Sequence, residues 1–186
     1  MSTAPARKLF TIDEYYQMAE AGILPWNGRD ELIEGDVIQM SAVGSAHASY
    51  VDRLTRLLTD RIGHRAIIRV QNPVRLSDLS EPQPDLAVLK NRPDFYAKSH
   101  PRPADVLLLI EVADTSLPFD REVKIPAYAL SGIPEVWIVN VPDSRIEVYR
   151  QPSPEGYRQE RQHRGGETVR LEAFPDAEIP VESVLA

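Results

Sequence analysis

The sequence predicts an α/β protein in which a mixed sheet is flanked by helices. Two observations carry that prediction. Residues 86–89 and 106–110 are short apolar runs rich in branched side chains and lack clean alternation, the pattern of strands covered on both faces. Val51, Leu54, Leu57, Leu58 and Ile62 recur at helical spacing, and a second helical stretch separates the apolar runs 106–110 and 135–139. A helix between two buried strands implies a crossover and a parallel pair.

Composition sets the outer limits. The 186 residues suffice for one domain with a substantial core, expected to span 1–186 with 1–9 as a loose tail. With no cysteine, the chain has neither disulfides nor thiolate zinc sites. No stretch approaches the ~20 apolar residues of a membrane span, and residues 1–8 lack the apolar core of a signal peptide. The expected localisation is cytoplasmic, with no membrane partner. A net charge of −7 argues against a broad, non-specific binder of duplex DNA, which needs a positive field, but leaves room for a local cleft.

Taken in order, Thr11 and Glu14 form a capping box that starts a short helix over about 12–21, stopped at Gly22. Residues 29–42 read as a hairpin turning at Gly35, which can take the positive φ of a tight turn. Glu34 stands at that turn. Glu31 is an alternative acid, placed by alternation on the opposite strand face from Glu34. The long helix runs from Ser45, as N-cap, to Gly63, with His47 on the inward side of its first turn.

Residues 66–70 form a strand that 71–76 continue across a proline break, with Gln71 at the junction. Residues 91–104 form the densest basic segment; it joins the far ends of the two apolar strands and need not reach a site between their near ends. Asp120 and Lys124 are an i,i+4 pair on the next helix, compatible with a plain surface ion pair. Pro126 either starts a new helix or kinks this one. Gly132 ends it, residues 135–139 form another buried strand holding Trp137 in the core, and residues 144–149 and 156–160 make an outer hairpin. The rest, from 168 on, supplies short edge pieces.

The chemistry gathers where residues 86–89 and 106–110 meet. Paired antiparallel, they bring Asp85, at the head of the first, beside Glu111, at the end of the second. Two carboxylates leaving water together cost several kcal/mol or shift a pKa unless a cation lies between them. Mg²⁺ suits such a place, since it takes one or two carboxylates plus waters. The plainer reading makes Asp85 a loop cap and Glu111 the partner of an arginine.

Pro84-Asp85 followed by Glu111-Val112-Ala113 resembles the PD-(D/E)XK signature of restriction-endonuclease-like nucleases. The ordered segments Glu31-Leu32-Ile33-Glu34-Gly35, His47, Gln71-Asn72-Pro73-Val74, Gln83-Pro84-Asp85, Glu111-Val112, 120–124 and 132–139 resemble one member of that superfamily, the Uma-two family of endonucleases. The resemblance spans roughly residues 10–150. It implies a restriction-endonuclease-like mixed sheet flanked by helices and a metal-dependent endonuclease using Mg²⁺ or Mn²⁺.

It further implies that Asp85, Glu111, the Val112 carbonyl and Glu34 hold the metal. Glu34, Asp85, Glu111 and Lys124 form the catalytic set, and His47 and Gln71 contact substrate or orient a carboxylate. The substrate is nucleic acid, DNA ranked ahead of RNA, and a homodimer is expected because related folds pair two sites to address two strands. The sequence departs from the superfamily at Ala113, where lysine is usual; the resemblance relocates that lysine to Lys124. Asp114 is a nearby acid outside the assigned set.

Two other classes compete. A non-catalytic binding or regulatory module on the same fold fits the acidic charge and Ala113. A carboxylate-pair hydrolase acting on sugars fits less well, since only two residues are Trp.

Overall fold

The computed structural model describes residues 6–24 and 30–186. The hairpin's expected first residue, Arg29, and residues 1–5 of the expected tail lie outside that set. Residues 6–9 carry no secondary structure, but the chain is held just beyond them, where Phe10 N–H donates to Gly35 C=O at 2.9 Å. A Cβ on Gly35, with φ +83°, would come within 2.6 Å of Leu9 Cβ, so this turn needs glycine for both its angle and its neighbour.

Helix α1 (Ile12–Glu20) starts on the Thr11–Glu14 capping box that the sequence encodes. Strands β1 (Asp30–Ile33) and β2 (Asp36–Gln39) form the predicted hairpin. Helix α2 (Ser45–Ile62) follows, with Gly44 as N-cap in place of the expected Ser45, and with no side chain capping it.

Six strands make the main sheet, in the order β3 (Ile67–Val70), β4 (Leu86–Leu89), β5 (Val106–Ala113), β6 (Glu135–Asn140), β7 (Arg145–Ser153) and β8 (Gly156–Arg164). All neighbours are antiparallel except β5 and β6, whose parallel pairing follows from the helical crossover between them. The outer hairpin β7–β8 thus extends this sheet. Strands β9 (Thr168–Arg170) and β10 (Glu178–Pro180) pair separately and lead into helix α5 (Val181–Leu185). The predicted continuation of β3 through residues 71–76 is not a strand: Gln71 turns to φ +49° and Pro73 follows, which breaks the pleat.

Both sheet faces are covered, as the non-alternating strands require. Leu108, Ile110 and Trp137 pack with Leu54 and Leu58 of α2. Leu109, Ala113 and Ile138 pack on the other face with Tyr128 and with Ile33 of the hairpin.

The crossover helix is one unbroken helical run, with a first turn α3 (Leu117–Phe119), a π-turn over Asp120–Lys124, and α4 (Ile125–Leu130). Pro126 stands in the first turn of α4, the position proline tolerates, but α4 continues the run without a break. A proline ring clashes with the carbonyl four residues back, and the wider π-turn, closed by Ile125 N–H to Asp120 C=O, makes room for it.

Candidate active site

The register of β4 against β5 places the site. Leu86 pairs with Ile110, so one residue further out Asp85 stands opposite Glu111. Pro84 then falls opposite Val112. Proline has no N–H to give, and the ladder ends there. The Val112 N–H donates instead to Asp85 Oδ2 at 2.8 Å. An extended residue presents its N–H and C=O to the same strand edge, so the Val112 carbonyl also points toward the Asp85 end.

Asp85 is held on its other oxygen by His47 Nε2 at 2.8 Å and by the Gln71 side-chain amide at 3.2 Å. Gln71 also donates its backbone N–H to the Asp85 carbonyl at 3.0 Å. Burial pushes the Asp85 carboxyl up, but His47, the Val112 N–H and Gln71 outweigh it and hold the group below the usual carboxylate range. The sequence-predicted residues Asp85, Glu111, Val112, His47 and Gln71 thus come together.

Glu111 is 3% exposed and receives Lys124 Nζ at 3.2 Å and the Tyr128 hydroxyl at 2.5 Å, both on Oε1. Lys124 is also buried, and its Nζ lies 3.1 Å from both oxygens of Glu31 while hydrogen-bonding only Oε1. Burial raises the Glu111 carboxyl well above its ordinary value; Lys124 pulls it down, and Asp120, Asp85 and Glu31 push it up again. Glu31 is raised by burial against the pull of Lys124. Lys124 is destabilised by burial, yet the surrounding carboxylates outweigh that and keep it a firm ammonium.

Glu34 is not part of this group. It is exposed, at φ +51° in the Glu34-Gly35 turn, and its N–H donates to the Ser80 hydroxyl oxygen at 2.8 Å. Glu31 stands in its place. Alternation separates the two, and it is Glu31, within the wholly buried β1, that reaches the cleft, while Glu34 lies past the strand end in the exposed turn.

Three members went unassigned in the sequence. Asp120 is 2% exposed, accepts from the Ser116 hydroxyl at 2.7 Å, and has its carboxyl raised by burial. It is therefore no surface partner of Lys124. Tyr128 and Ser116 complete the set. The signal for two of them was available: Asp120, Lys124 and Tyr128 recur every fourth residue, the spacing of one helix face.

All of these residues except the wholly buried Tyr128 line a cleft of about 650 Å³ whose other wall is the stretch from Met40 to Gly44 and the first turn of α2. Glu31, Asp85, Glu111, Asp114 and Asp120 border it, against Lys124 and His47, with no arginine among the described residues. The basic segment 91–104 does not line it. Among the described residues no group of three or more His, Cys, Asp or Glu side chains is placed to hold a metal ion. The donors at hand, two facing carboxylates and a main-chain carbonyl, are all oxygen. That is the set a hard divalent ion takes when water fills its remaining positions. Such an ion would also offset the surplus negative charge, so the residues fit Mg²⁺ or Mn²⁺.

A family model described as "Putative restriction endonuclease" matches residues 12–182. A protein of Synechocystis sp. described as uncharacterized is 26% identical over 156 residues, covering 81% of this chain and 86% of its own. The crystal structure of "a putative nuclease belonging to DUF820" from Anabaena variabilis superposes with a TM-score of 0.73 at 14% identity, over 95% of this chain and 97% of that one. That likeness shows that the two chains share a fold. No described helix is long and apolar enough to cross a membrane.

Proposed function

The chain belongs to the Uma2 family, described as "Putative restriction endonuclease", and on that footing we propose that it is a metal-dependent endonuclease hydrolysing phosphodiester bonds of nucleic acid. The observation that carries the reading is the meeting of Asp85, Glu111 and the Val112 main chain where Pro84 ends the β4–β5 ladder. A sheet that needed only stability would continue the ladder or close it with apolar residues. Here it stops and turns two carboxylates into a cleft.

Asp85 and Glu111, with the Val112 carbonyl, would hold Mg²⁺ or Mn²⁺. The ion would lower the pKa of a bound water and neutralise charge on the scissile phosphate. Asp85 is fit to bind because its hydrogen bonds keep it ionised and fix its orientation. Tyr128 and Lys124 leave Glu111 Oε2 without a hydrogen bond from the described residues. Lys124 is charged and cannot serve as a general base; it acts as a fixed cation against negative charge developing on phosphate. Glu31 sets where that cation lies. The uncapped N-terminus of α2, at the cleft wall, offers main-chain N–H groups to a phosphate oxygen. DNA is the preferred substrate over RNA, and the working form is a homodimer in the cytoplasm.

A second reading, a non-catalytic binding module, is favoured by one observation: the Lys124 ammonium is buried between two carboxylates, as a purely structural ion pair would be. One experiment separates the two. Single- and double-stranded DNA and RNA are incubated with Mg²⁺, Mn²⁺ or EDTA, using wild type and Asp85→Ala. Metal-dependent cleavage lost in the variant supports the nuclease. An inert wild type that still binds nucleic acid leaves the binding module.

A further inference from the structure

The π-turn that carries Asp120 and Lys124 has an anchor on its opposite side. Arg121, between those two residues, turns away from the cleft to Glu147 on β7. Its Nε donates to Oε2 at 2.9 Å and a terminal nitrogen donates to Oε1. Glu147 is wholly buried and also accepts from Asn140 at 2.7 Å, Arg145 at 3.0 Å and the Tyr149 hydroxyl at 2.9 Å. Glu147 is therefore a fixed point, oversupplied with donors, and Arg121 is its one link among these to the crossover helix.

The π-turn is the soft part of that helix. Its Ile125 N–H bonds five residues back, to Asp120, where an ordinary helix bonds four back. A change between the two patterns rotates every residue beyond it about the helix axis. Lys124 lies in the last position of the turn, and its Nζ sits 3.1 Å from both oxygens of Glu31 and 3.2 Å from Glu111 Oε1. A small rotation would break these contacts. Pro126 and the Tyr128–Glu111 hydrogen bond bear on that rotation from the helix itself, and the two-pronged Arg121–Glu147 pair adds a fixed point outside the cleft.

We propose that Arg121 is a positioning residue: its paired hydrogen bonds to Glu147 hold the crossover helix in its π-turn and so set Lys124 and Asp120 against Glu31 and Glu111. The proposal rests on the nuclease reading for its effect on turnover, but its structural part stands apart from that reading.

The test compares Arg121→Gln with Arg145→Gln, which removes the other guanidinium on Glu147 without touching the helix. Each is measured for melting temperature, for labelling of Lys124 by an amine-reactive reagent read by mass spectrometry, and for kcat and KM wherever wild type cleaves. The expected result is that Arg121→Gln labels Lys124 about 10-fold faster and lowers kcat roughly 10- to 100-fold with KM little changed, the scale of losing an outer-shell support. Arg145→Gln keeps Lys124 protected, and Arg121→Lys restores part of the loss through one hydrogen bond.

Equal Lys124 labelling in Arg121→Gln and wild type would overturn the proposal. Equal loss in the two glutamine variants would do the same, by reducing Glu147 to a general structural hub. Should Arg121→Gln fail to fold, Arg121→Lys carries the comparison alone, and full protection of its Lys124 at full kcat would be the overturning result. If wild type cleaves nothing, the nuclease reading fails while the labelling result still decides the role of Arg121.

Discussion

Lys124 Nζ stands 3.1 Å from Glu31 and 3.2 Å from Glu111, so one ammonium separates two carboxylates contributed by the hairpin and by the central strand β5. All three groups are buried. Removing one partner of a buried ionic group strands the others, and that loss exceeds what the intact group contributes over an apolar substitute. The arrangement is thus balanced on Lys124.

Lys124→Met should therefore destabilise the fold by about 3–5 kcal/mol near pH 8. The penalty should shrink on acidification. Glu31 and Glu111 already sit above their ordinary values, and without the lysine they rise further. A carboxyl raised in the folded state holds a proton that the unfolded chain releases, so stability grows as pH falls toward the unfolded carboxylate range. Urea unfolding of the variant at about pH 8 and about pH 5 checks this; a penalty that stays constant or grows toward acid refutes it.

Glu31 and Glu34 offer a sharper contrast because they are three residues apart in one hairpin. Glu31→Gln keeps the shape but weakens the hold on Lys124, and should reduce metal-dependent cleavage by about 10-fold or more. Glu34→Gln alters an exposed turn and should leave both cleavage and stability within about 0.5 kcal/mol of wild type. Parallel assays of the two variants settle which acid serves the site; loss confined to Glu34→Gln would reverse the assignment.

That contrast also marks where sequence reasoning reached and where it stopped. The Asp85–Glu111 meeting was legible because two apolar runs and a proline fix both the strands and the end of their ladder. The parallel β5–β6 pair was legible from the helix between them. Strand parity told Glu31 from Glu34 but could not say which parity faced inward, since that depends on the hairpin packing against a sheet far away in sequence. Asp120 and Tyr128 were hidden for a related reason. Their spacing from Lys124 marks one helix face, but only the tertiary placement of the crossover shows that this face is buried over carboxylates. Nothing local announces the Arg121–Glu147 pair, which spans 26 residues.

Glu147 makes an acid-side prediction. Burial alone would raise its carboxyl, but hydrogen bonds from Arg121, Asn140, Arg145 and Tyr149 prevail and lower it from 4.5 to about 2. A carboxylate depressed in the folded state stabilises the protein above its unfolded value, and that contribution is lost as pH falls through the folded one. Wild type should lose stability between pH 4.5 and about 2 more steeply than Glu147→Gln, which has no proton to take up there. Chemical unfolding across that range gives the two slopes, and identical slopes would mean that the hydrogen bonds to Glu147 do not favour its ionised form.

Asp85 and His47 separate metal binding from metal orientation. Asp85→Asn keeps an acceptor for the Val112 N–H but removes the charge. It should abolish the calorimetric heat of Mn²⁺ binding and lower cleavage by at least about 10²-fold, the scale of losing a fixed electrostatic contact in a transition state. His47→Ala leaves that charge in place and removes one of the bonds that fix Oδ1. Because Gln71 and Val112 still hold the carboxylate, Mn²⁺ should bind with affinity reduced about 10- to 100-fold. Its cleavage should recover as the Mn²⁺ concentration is raised, whereas that of Asp85→Asn should not. If both variants bind Mn²⁺ as wild type does, the ion is held elsewhere and the proposed metal site falls.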